Sequence, residues 1–177
     1  MDQIWPALIW RQFGAALDML EDALRACPDS LWTARLWGDQ GQRADLSQFW
    51  YIAYHTLFWL DLYLSGSLEG FAPPPPYTLD ELDPAGLLPD RCYTRDELLS
   101  YLDHGRRKCR AAIAALTGDT ARRLCSFPWR QIGYAELILY CMRHVQEHAA
   151  QLNMFLGQQT GASARWVART ASDDVTQ

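Results

Sequence analysis

The chain has 177 residues, of which 49% are apolar and 21% charged, a length and balance that fit one globular domain with material for a full core. A net charge of −5 excludes the basic domain that nucleic-acid binders carry. The five cysteines, an odd number without a CxxC pair, exclude a disulfide framework and a zinc ribbon.

The first helix is expected from about Ile4 to Ala26, where Phe13, Leu17, Leu20 and Leu24 recur at helical spacing. Pro6 is tolerable in its first turn, and Cys27-Pro28-Asp29 ends it. The second is expected from about Leu46 to Leu64, capped by Asp45 or Ser47 and stopped at Ser65-Gly66. It is apolar on nearly all sides, so it should be the most buried helix. Its apolar run contains His55, Thr56 and Asp61 and is shorter than the ~20 residues a membrane span needs. Residues 66–93 contain Pro73–Pro76, Pro84 and Pro89, which exclude a continuous helix. A connection of that length permits a crossover between bundle ends.

A capping box, Thr94 with Glu97, opens the third helix, whose stripe is Leu98, Leu102, Cys109, Ile113 and Leu116. Its basic run, Arg106, Arg107, Lys108 and Arg110, reads as a solvated face, and His104 as a surface residue. Thr117-Gly118-Asp119 closes it, and a short segment with Pro128-Trp129 leads to the fourth helix, from about Tyr134 to Gln159 before Gly161. No strand alternation of useful length is visible. The expectation is an all-α four-helix bundle over residues 1–162, with a long crossover loop between helices 2 and 3 and a polar C-terminal tail over 163–177. Trp166-Val167 is the one tail segment expected to dock. Met1-Asp2-Gln3 lacks the positive region of a signal peptide, and with the cysteine usage this leads us to expect a cytoplasmic protein.

Two of the four histidines, His144 and His148, stand one helical turn apart and share a face, a spacing that suits one metal ion. Leu137, Cys141, His144, His148, Gln151 and Phe155 form a seam with alternating steps of four and three, directed at the bundle interior. Ile52, His55, Trp59 and Leu62 share a face of the second helix in the same way. Buried imidazoles need partners, since an unsatisfied buried polar group costs about 1–3 kcal/mol. A metal held by His55, His144 and His148 would satisfy all three. The competing reading makes each histidine a core residue bonded to a carbonyl or tyrosine.

Phe49–Leu64 resembles the second helix of the DinB/YfiT-like superfamily, Arg143–Leu152 its fourth, and Leu8–Phe13 suits its first. The resemblance covers about residues 4–160, and its specific element is one histidine in the second helix followed by a later HxxxH. It implies a four-helix bundle with a three-histidine metal site at His55, His144 and His148, often dimeric, so a homodimer is expected. Some relatives of this kind look like thiol-dependent S-transferases or isomerases that use mycothiol or bacillithiol.

Three neutral imidazoles leave one position open on a four-coordinate metal. A thiol entering there becomes a thiolate, and a water can be activated as hydroxide. Zinc, nickel and iron all suit this donor set. The leading expectation is a metal-dependent S-transferase that uses a low-molecular-weight thiol on a small electrophile. The rivals are a hydrolase using metal-bound water and a non-catalytic metal-binding bundle. No nucleic acid or membrane partner is expected.

His144 to His148 also matches H-x-x-E-H, in which Glu147 would be a general base. The carboxylates after His148 are Asp173, Asp174 and the C-terminus, all in the polar tail, and Glu147 sits about 100° around the helix from His148, so it reads as exposed. Cys141 reads as a packing thiol. Gln151 is positioned for a ligand or a metal-bound water. Tyr54 and Trp59 are core aromatics that can line a pocket, and Arg143 is a surface residue that can meet an anion.

Overall fold

The computed structural model describes residues 4–38, 44–162 and 164–171. Four long helices form the body: α1 (Ile4–Ala26), α2 (Phe49–Ser65), α3 (Arg95–Ala114) and, after the short α4 (Gly118–Arg122) and a hairpin of β1 (Leu124–Phe127) and β2 (Arg130–Gly133), α5 (Tyr134–Thr160). The expected all-α bundle is what the chain forms, and α5 is the fourth helix of the sequence reading.

In α1 the stripe Phe13, Leu17, Leu20 and Leu24 is fully buried. In α2 every residue is buried except His55, Trp59 and Ser65. Burying bulky apolar side chains all round a helix fixes it at the centre of the core, each contributing about 1.5–3 kcal/mol. Both α2 and α5 stop at a glycine in the left-handed conformation, Gly66 with φ 73° and Gly161 with φ 72°. The Thr94 capping box forms as expected, and Arg91 clamps the same Glu97 carboxylate, holding its pKa down to about 2.

The second helix starts later than its apolar pattern suggests. Ala44–Ser47 is a 3-10 turn, and Gln48 is extended. Backbone bonds Leu36 N–H to Ser47 O and Phe49 N–H to Ala34 O tie the entry of α2 to the α1–α2 connection, so those donors go across rather than along a helix.

Contacts give the helix directions. Tyr93, just before α3, packs on Trp50 at the start of α2, and Lys108 in α3 bonds Ser65 at the end of α2. These two helices therefore run parallel, and the segment between them returns along the bundle. Tyr134 at the start of α5 donates to Leu64 O, and Phe155 near its end packs on Phe49, so α5 runs antiparallel to α2.

The hairpin corrects the sequence reading, which had no strand. Cys125, Phe127 and Ile132 point inward in elements of four residues each, too short for alternation to register. Phe127 packs edge-on against Tyr63, and Trp129 at the turn packs against Trp59.

In the basic run of α3 only Arg107 is exposed, and the other three are not a solvated face. Arg106 pairs with Asp18 at 2.5 Å and Glu21 at 2.7 Å on α1, and Arg110 lies over the Trp10 ring. Lys108 reaches the buried carboxylate of Asp61, which Tyr101 and His104 also face. His104 is therefore half-buried rather than a free surface residue. In the tail, Val167 packs on the body, but Trp166 is 71% exposed and the anchor is Thr170, 1% exposed, whose N–H donates to Arg11 O. Gly14 makes the close approach possible: a Cβ there would meet Thr170 Cγ2 at 2.6 Å.

Candidate metal centre

The antiparallel packing of α2 against α5 brings together the three histidines that the sequence singled out. His144 Nε2 lies 3.3 Å from His55 Nε2 and 3.1 Å from His148 Nε2. All three ligand atoms fall within 4.8 Å of one another, the one such group of potential donors among the described residues. His104 is not part of it.

The outer nitrogens explain why the inner ones face each other. His55 Nδ1–H donates to Glu81 Oε2 at 2.8 Å, and His148 Nδ1–H donates to Gln151 Oε1 at 2.8 Å. Each imidazole so committed turns a lone pair inward, a configuration that in neutral histidines suits a shared cation. A tetrahedral ion about 2.1 Å from each nitrogen sets them roughly 3.4 Å apart, which is close to the separations found here. The residues present therefore fit a divalent transition ion.

Electrostatics favour the neutral, ligating form of His144 and His148. Burial, then the neighbouring His148 and His55, push the His144 pKa down to about 3. Burial also lowers His148, against the opposing hydrogen bond with Gln151. Burial works to raise the Glu81 carboxyl, but hydrogen bonds from His55, Tyr51 and Trp59 outweigh it and hold it below the usual range.

Glu81 is the functional residue that sequence reasoning missed. It lies in a 3-10 turn, Asp80–Leu82, inside the crossing segment, and its side chain is 4% exposed. Trp59 Nε1–H shares its Oε2 at 2.9 Å, while Oε1 is buried without a hydrogen-bond partner. The available signal was an acidic cluster, Asp80-Glu81-Leu82-Asp83, in a segment otherwise dominated by proline.

A cleft of about 500 Å³ opens onto the centre. Its lining includes His55, His148 and Gln151, the aromatic residues Trp37, Tyr51 and Trp59, and the acidic residues Asp80, Glu81 and Asp83. Gln151 thus serves His148 directly. Tyr54 stays in the core, its hydroxyl donating to Thr78 O. Cys141 is fully buried and stands outside the histidine group; burial pushes its thiol far up. Glu147 and Arg143 are exposed and line a separate cleft with Gln12, Gln146 and Trp166. Asp173 and Asp174 lie outside the described residues.

Two antiparallel helices of a bundle here gather three imidazoles, the arrangement from which bundles can build metal centres between facing helices. Residues 12–152 match the DinB superfamily, and the chain belongs to that superfamily. No curated protein matches it. Among the described residues no helix is long and apolar enough to cross a membrane.

Proposed function

We propose that the protein is a metal-dependent enzyme of the thiol S-transferase type, which holds one divalent transition ion at His55, His144 and His148 and acts on a small electrophile. The observation that carries this reading is the convergence of three Nε2 atoms beside an open cleft that two of the histidines, His55 and His148, line. A closed structural site would leave no such approach.

An ion bound there supplies a Lewis-acid position at which a thiol is deprotonated at neutral pH. The chain's own residues provide the rest. Glu81 and Gln151 fix the tautomers and ring orientations of His55 and His148. Trp37, Tyr51 and Trp59 offer apolar surface to an incoming molecule and limit water. None of the five cysteines belongs to the histidine group or lines the cleft, and burial raises all of their thiols, Cys27 to about 11, which argues against any of them as the nucleophile. Free thiols throughout suit a reducing cytoplasm. A protease reading loses support, because Glu147 points away from the centre.

Protein purified without chelator or histidine tag is expected to carry about one transition-metal ion per chain. His55→Ala, His144→Ala and His148→Ala should each lose most of it, and His104→Ala should keep it. The loaded protein should transfer a small thiol to a chloro-dinitro-arene, and the chelated protein should not. Full metal occupancy in His55→Ala would overturn the ligand assignment, and transfer that survives chelation would overturn the metal-dependent reaction.

A further inference from the structure

Three carboxylates face the metal-side cleft, and among its described lining residues there is no lysine or arginine. Glu81 is engaged by His55 and Trp59 through Oε2, but its Oε1 is buried, without a hydrogen-bond partner, in a side chain that lines the cleft. Asp80 accepts from Thr78 Oγ1 through Oδ2, and Asp83 accepts from Ala85 N–H through Oδ1. Each bonds with one oxygen, and both residues line the cleft. Trp37, Tyr51 and Trp59 line it too. The three carboxylates outnumber the two charges of a divalent ion on neutral imidazoles, and rings with negative faces beside them add to the same sign, so the cleft favours an organic cation over an anion.

We propose that this cleft selects its ligand by charge: it accepts a small amine-bearing molecule whose apolar body lies on the tryptophans and whose ammonium faces Asp80 and Asp83, and it rejects carboxylate-bearing molecules of the same shape. The inference rests on the metal reading of the histidine centre and is independent of whether the bound molecule is a thiol. Applied to a thiol, it names the class: an amine-bearing thiol rather than an acidic one.

The test uses cobalt-loaded protein and three N1-substituted imidazoles of similar size, which bind metal by the same nitrogen: 1-(3-aminopropyl)imidazole, 1-propylimidazole and 3-(imidazol-1-yl)propanoate. Binding is read from the visible cobalt bands. Affinity is expected to fall in that order, by about fivefold for each unit of ligand charge at low salt. The steps should shrink in 0.5 M NaCl, because partly exposed charges are screened (Debye length of roughly 4–5 Å). The double variant Asp80→Asn/Asp83→Asn keeps a side-chain acceptor for each turn but leaves one carboxylate against the ion's two charges, so the amine should lose its advantage over the carboxylate ligand, with unchanged cobalt content and circular dichroism. Equal affinities in the unaltered protein, or a preference that persists in the double variant, would overturn the inference. A chain that takes up no cobalt overturns the metal reading and this inference together, and is recognised by metal analysis before any imidazole is added.

Discussion

Glu81 provides the sharpest test of how the centre is tuned. Its Oε2 receives two hydrogen bonds, 2.8 Å from His55 Nδ1 and 2.9 Å from Trp59 Nε1, in a side chain that is 4% exposed. A carboxylate in that position makes the far nitrogen of His55 more basic and prevents the ring from rotating. Removing a partner of this kind weakens metal binding by about 10- to 100-fold, which is about 1.4–2.7 kcal/mol. Glu81→Gln keeps an acceptor but loses the charge, and it places an amide N–H₂ where Oε1 now lies without a partner. We expect the glutamine variant near the lower end and Glu81→Ala near the upper end. Competition with a chromophoric chelator measures both, with circular dichroism as the control for folding. If Glu81→Ala retains the metal as tightly as the unaltered protein, the carboxylate does not support His55 and the reasoning fails.

Three further outcomes are expected. Lys108→Ala leaves the Asp61 carboxylate, 1% exposed, without its cation, and should cost about 3 kcal/mol in urea unfolding, whereas joint replacement by Asp61→Leu and Lys108→Met should cost clearly less; equal losses refute the pairing. Gly14→Ala should release the tail, because the new Cβ falls 2.6 Å from Thr170 Cγ2, and limited proteolysis should then cut near residues 164–171 with the bundle intact. Finally, the metal-free protein should lose stability as pH falls below about 6.5. His144 is held neutral in the fold down to about pH 3, so between those values the unfolded chain binds the extra proton and is favoured. His144→Asn should flatten that part of the melting-temperature profile, and an unchanged slope would count against burial as the cause.

The helices of the bundle were legible because their signals are periodic. The apolar stripe of α1, the Thr94 capping box and the glycines after α2 and α5 each state a local rule that the tertiary structure obeys. The histidines were legible for the same reason, since His144 and His148 lie on a seam whose other members, Leu137, Cys141 and Phe155, are all buried. Most of what escaped lies outside periodic structure. Glu81 belongs to a single 3-10 turn, and its role depends on where a crossing segment comes to rest. The β1–β2 hairpin was too short to alternate. Lys108 looked solvated because a charge run on one helix carries no information about Asp61 on another.

The return of residues 66–94 along the bundle separates two kinds of contribution to one centre. The imidazoles ride on α2 and α5, whose positions the core dictates. The partner of His55 and the charged wall of the cleft ride on a connection that the core constrains far less. The two can vary independently. With a metal bound as proposed, a change confined to residues 78–87 would alter what approaches it, and how strongly His55 holds it, while leaving the three nitrogens where they are. Donor geometry and ligand preference are thus separate inheritances in this chain, and a loop graft from another bundle of this design would transfer the second without the first.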